Sequence, residues 1–228
     1  MTRGLIGGAA VGTTFNRGLE IYKKNFVPLL LATLLAVVVG GISCGICTAP
    51  LLCGVYAMIL TVMRDGNATL KAGDVFKGFQ KFVPAFVSCL VLAVIYQIVC
   101  TVLLIIPILG WIAVIILALA VFPAIVAWAQ LMVADQNASV GEAIMSPIKL
   151  LRDKRFWSIV LVAFVASLVG GLGAIVCGIG LFVTLPFSFC MMAAAYEEAY
   201  GAGAPAAVVP PAAEPPAAEP PAAETPAS

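Results

Sequence analysis

Three long stretches of this chain contain no charged residue at all, and they constrain its fold more than any other feature. They run from Asn25 to Met63, from Phe82 to Ala134 and from Phe156 to Tyr196. A helix needs about 20 apolar residues to cross the hydrocarbon core of a bilayer. Each stretch is too long for one passage and long enough for two. Breaker residues lie near the middle of each: Gly40-Gly41-Ile42-Ser43-Cys44-Gly45 in the first, Pro107 with Gly110 in the second, and Gly170-Gly171-Leu172-Gly173 with Gly178 in the third. The pattern predicts an all-α polytopic membrane protein, six transmembrane helices arranged as three hairpins. The composition agrees, with 63% hydrophobic and 10% charged residues, against about 25% charged in soluble domains.

All twelve Lys and Arg residues lie before the first stretch or between the stretches, and the hairpin turns carry none. The positive-inside rule therefore predicts both termini in the cytoplasm and a multi-pass protein of the inner or plasma membrane. A net charge of +1 supplies no basic field for nucleic acid. The chain has no His, so the commonest general base and the commonest metal ligand are missing.

A charged segment that reads as an amphipathic interfacial helix precedes each hairpin. In the first, Phe15, Leu19, Tyr22 and Phe26 share one face, with Arg17, Glu20 and Lys24 on the other. In the second, Val75, Phe76 and Phe79 oppose Lys77 and Lys81. In the third, Ser139 and Glu142 have capping-box spacing ahead of the stripe Val140, Ile144, Ile148 and Leu151, with Pro147 expected to bend or shorten the helix. Pro28 and Pro84 occupy equivalent places just inside their hairpins, where a missing N–H costs nothing. The chain thus divides into an N-terminal segment over 1–24, a six-helix membrane domain over 25–200 and a tail over 201–228. The tail repeats Pro-Pro-Ala-Ala-Glu from Pro210, Pro215 and Pro220, a composition that cannot bury a core and reads as a disordered cytoplasmic spacer.

Several short motifs resemble a family of bacterial six-span membrane proteins that includes the YciC-like proteins and the membrane domain of some glycerophosphoryl diester phosphodiesterases. They are Gly73-Asp74-Val75-Phe76-Lys77-Gly78-Phe79, Ala49-Pro50-Leu51 with Gly54, Glu142-Ala143 with Ser146, and Gly178 and Gly180 through Thr184 and Pro186 to Tyr196. The resemblance implies the six-span fold without a catalytic domain. The phosphodiesterase chemistry belongs to a separate domain with His and carboxylate ligands, and this chain has no His, so that activity is not expected to transfer.

No Asp, Glu, Lys or Arg falls inside a predicted span, so the proton relay of a coupled pump is missing. Gln97 and Gln130 are the polar candidates there, either as interhelical packing partners or as a pathway. Cys44 and Cys47 have the spacing of a disulfide or redox pair, although small-residue packing is the simpler reading of a membrane cysteine. Arg17, Lys24, Lys77, Lys81 and Lys149 are expected to contact the anionic membrane surface. No catalytic residue, metal site or cofactor is expected. The partners expected are membrane lipids, with a membrane protein or a second copy as further possibilities. Three functions follow: a non-catalytic organiser of lipid or of a membrane complex, a small permease or lipid-transport subunit with a path through spans 3, 4 and 6, and an outer-face thiol protein.

Overall fold

The computed structural model describes residues 8–66, 68–106, 108–150, 155–175 and 179–200, and among them the chain is all-helical, with no strand. The tail 201–228, Cys177 and Gly178 lie outside the described residues, whereas at 170–173 no break is found, because the helix Arg155–Ile175 runs through those glycines. Helices α1 (Gly8–Lys24), α2 (Phe26–Ile42) and α3 (Thr48–Arg64) are followed by a 3-10 segment, Ala72–Lys81, that runs directly into α4 (Phe82–Leu103). Helix α5 (Leu109–Ile116) continues through a π-helical turn, Leu117–Val121, into α6 (Phe122–Gln136). Helices α7 (Val140–Leu150), α8 (Arg155–Ile175) and α9 (Ile179–Tyr200) complete the chain. The π turn stands directly before Pro123, whose ring and missing N–H rule out regular α-helical bonding to the preceding turn.

Three helical runs are long and apolar enough to cross a membrane: Ala72–Leu103, Leu109–Gln136 and Gly180–Ala199. Helices α1 and α2 meet at 93° and would form a fourth if counted as one broken span. Helices α2 and α3 have 17 residues each, about 26 Å at 1.5 Å per residue, slightly short of the roughly 30 Å hydrocarbon core.

Helix α3 occupies the centre. Leu51, Cys53, Val55 and Ile59 are wholly inaccessible there, and the helix packs on α2, α6 and α9. It runs beside α9 in the same direction, because Tyr56 meets Phe189 edge-on at 5.6 Å and Arg64 meets Glu197 at the same sequence offset of 133 residues.

Two of the expected amphipathic segments use their apolar sides on the protein itself. Helix α1 crosses α9 at Gly18, where an added Cβ would come within 3.2 Å of the Met191 backbone. Thr14 and Tyr22 are buried on that side, and the Tyr22 hydroxyl donates to the Val183 carbonyl at 2.7 Å. Arg17, Glu20 and Lys24 stay exposed, while of the expected apolar face Phe15 and Leu19 are half-buried and Phe26 is exposed. The second segment is a 3-10 helix, with Val75 and Gly78 buried against α3. A Cβ on Gly54 would stand 2.0 Å from the Val75 carbonyl oxygen, and one on Gly78 would stand 2.0 Å from that of Pro50. Only glycine admits such backbone contact. Two of the motifs carrying the family resemblance are therefore the two sides of one contact. It also places this segment beside the first half of α3, about 15–20 Å along the helix from Arg64 at 1.5 Å per residue.

The third segment keeps its predicted start. The Ser139 N–H donates to Glu142 Oε2 at 2.9 Å, and the Glu142 N–H returns to Ser139 Oγ at 3.4 Å. Helix α7 packs between α4 and α6, with Trp128 Nε1 donating to Ser146 Oγ at 3.2 Å.

Candidate functional site

Each charge-free stretch is followed at once by a charged residue: Arg64 after Met63, Asp135 after Ala134 and Glu197 after Tyr196. The fold brings these three together. Each stands in the last turn of its helix, α3, α6 or α9. Helix C-termini carry negative partial charge, so two carboxylates gathered there are disfavoured unless a cation lies between them. The Arg64 guanidinium fills that place. Its Nη2 donates to Asp135 Oδ2 at 3.0 Å and its Nη1 to Oδ1, a bidentate pairing, while Nε donates to Glu197 Oε1 at 2.7 Å. The Tyr196 hydroxyl donates to Asp135 Oδ2 at 3.0 Å, and Gln136 Nε2 donates to that hydroxyl at 3.3 Å. Asp135 and Glu197 are buried, Tyr196 is wholly inaccessible, and the tyrosine ring packs edge-on against Trp128 at 5.2 Å.

The chemistry of such an arrangement is that of a lock. Both carboxylates already accept charge-assisted hydrogen bonds, and an arginine does not release its proton in proteins. Deleting one member of a buried ion pair leaves an uncompensated charge, a loss of about 3–5 kcal/mol. Nearby, Lys81 Nζ donates to the Ala134 carbonyl at 2.6 Å, answering a carbonyl in the last turn of α6.

The structure separates the two glutamines. Gln130 is buried on α6, its Nε2 donating to the Ala85 carbonyl at 3.0 Å, which is the packing role. Gln97 is exposed on α4. The two side chains do not meet: Gln130 faces inward, its Nε2 bonded to α4 and its Oε1 buried without a partner among the described residues, while Gln97 faces outward.

Cys44 and Cys47 both carry free thiols. Left-handed backbone at Cys44 (φ 52°) and Gly45 (φ 87°) reverses the chain between α2 and α3, leaving Cys44 exposed and Cys47 half-buried where α3 begins. No group of three or more metal-ligating side chains exists among the described residues.

Of the five basic residues expected at the membrane surface, Arg17, Lys77 and Lys149 remain exposed, with Lys77 paired to Asp74 at 2.8 Å. Lys24 is exposed but donates to the Gly66 carbonyl, tying the α1–α2 corner to the loop after α3. Lys81 is corrected: half-buried and turned onto α6, it is a helix cap rather than a free surface contact.

Arg64, Asp135, Tyr196 and Glu197 were not singled out from the sequence. The signal was present, one cation and two anions at the same position of three similar units. Spacing alone does not say that three helix ends converge.

A small apolar cavity of about 290 Å³ lies between α3, α6, α8 and α9, bounded by Tyr56, Ala127, Ala166, Gly170 and Ser188 among others. Comparison with protein-family models, with curated proteins and with solved structures finds no match to this chain.

Proposed function

We propose that the chain is a non-catalytic inner- or plasma-membrane protein that crosses six times, both termini cytoplasmic, and organises lipid or a membrane protein complex. In this reading α2 with α3, α4 with α5–α6, and α8 with α9 are the three hairpins. The turns at 43–47 and 104–108 fall at the sequence breakers. Arg17 and Lys149 face the anionic leaflet. The resemblance to YciC-like proteins favours the same picture.

One observation carries the proposal: the two buried carboxylates among the described residues are both held by Arg64. This leaves the charged centre with structural rather than turnover chemistry. The broad apolar surface of α2, α4 and α5 suits a hydrocarbon solvent. The cavity between α3, α6, α8 and α9 adds room for part of one acyl chain.

Native mass spectrometry of the protein, gently extracted from its own membrane, tests this. A stoichiometric protein partner would establish the complex, and retention of one lipid class would establish lipid handling. A bare chain that keeps neither would contradict the proposal.

A further inference from the structure

One polar group on the outer surface, the Gln97 carboxamide, has no partner among the described residues. Gln97 lies on α4 about 22 Å from Phe82 at 1.5 Å per residue, inside a hydrocarbon layer of about 30 Å. Its carboxamide is exposed and makes no hydrogen bond to any described residue. The neighbouring Thr101 is already satisfied, its hydroxyl donating to the Gln97 main-chain carbonyl at 2.8 Å. Leu90, Val94, Gln97 and Thr101 form one exposed stripe at helical spacing. The opposite side of α4 carries the buried Ser88, Leu92 and Cys100, so the stripe faces away from the chain's own core.

A carboxamide left bare in hydrocarbon is costly, since it offers two donors and an acceptor with no water to meet them. The same inventory makes it self-complementary. Two copies inserted in one orientation are related by a two-fold axis along the membrane normal, so the same residue of each meets at the same depth. From this we infer that the Leu90–Val94–Gln97–Thr101 stripe is a self-association face, with Gln97 hydrogen-bonding Gln97 of a second copy. The inference rests on the proposal that α4 spans the membrane.

The test uses the full chain with its native cysteines replaced, carrying one cysteine at a time at positions 94, 97, 98 and 101, oxidised in native membranes. Self-association through this face gives covalent dimers at 94 and 101, where Gln97 is kept, but little at 98, which is turned by about 100° from residue 97. With the reporter cysteine at 94 or 101, Gln97→Leu should weaken dimerisation in vesicles about 3- to 20-fold, the range of measured hydrogen bonds between membrane helices. Gln97→Asn should restore most of it. Equal cross-linking at all four positions, none at any, or an adduct at 97 containing a different protein would each overturn the inference. Labelling of Gln97→Cys by a membrane-impermeant maleimide separates the two readings. A reactive thiol refutes the spanning α4, whereas a shielded thiol that never cross-links refutes only the self-association.

Discussion

The two ends of the paired helices α4 and α6 are built by opposite means. At one end Gln130 holds Ala85, Lys81 holds the Ala134 carbonyl, and Asp135 is clamped by Arg64 and Tyr196. At the other, Ile98, Val102, Ile105, Leu109, Trp111 and Ile115 are all more than half exposed, and the chain reverses through a strained Ile108 at φ 64°. The first end is specified by directional contacts that only certain side chains can make. The second requires only apolar bulk, with one backbone constraint: a Cβ at Gly110 would lie 1.9 Å from the Leu103 carbonyl oxygen. On the proposal that these helices span a membrane, hydrocarbon as the solvent accounts for the contrast, because burying apolar surface within the protein gains little over leaving it in lipid.

The sharpest way to break this comparison is Arg64→Ala. It should cost about 3–5 kcal/mol by leaving two buried carboxylates facing each other, read as a lowered unfolding midpoint in detergent. The triple replacement Arg64→Met, Asp135→Leu and Glu197→Leu should recover most of that loss. Next is Gly78→Ala, whose methyl group would collide with the Pro50 carbonyl rather than with a movable side chain. An overpacking cost of about 1–3 kcal/mol is expected in the same unfolding assay. Tyr196→Phe removes one hydrogen bond to a carboxylate and should cost about 1.5–3 kcal/mol at most. By contrast Ile112→Ala, at the exposed end, should change stability by less than about 0.5 kcal/mol.

The smallest effect concerns the cap of α7. The Ser139 backbone N–H, and then its hydroxyl, hold the Glu142 carboxylate below its ordinary value of 4.5. A lowered folded value means that the cap's contribution is present above 4.5 and fades as pH falls through the folded value. Protection from amide exchange over the first turn of α7, relative to the intrinsic rate at each pH, should therefore fall only in acid, and Glu142→Gln should remove that dependence.

Much of the fold was legible because charge and apolarity act locally. The charge-free stretches mark where helices lie, Gly40–Gly45 marks the first reversal, and Ser139 with Glu142 marks the start of α7. Partners were less legible. The apolar stripe of α1 gives the same periodicity whether it meets lipid or α9, and only Gly18, lying between Thr14 and Tyr22, hints at a close helix crossing. The segment 72–81 reads as an α-helix by its apolar spacing, yet backbone contact with α3 at Gly54 and Gly78 fits a 3-10 geometry instead. Of the candidate residues, Gln130 was legible as a packing group. The Arg64 lock was not, because its members lie 71 and 133 residues apart.

A double-mutant cycle between Arg64→Met and Asp135→Leu, measured by reversible unfolding in one detergent, addresses the central claim most directly. A lock of this geometry predicts a coupling of about 1–3 kcal/mol, the double variant being much more stable than the two single losses imply. Losses that add to within about 0.5 kcal/mol would show that the two residues do not act together, and the account of how the three helix ends are joined would fail.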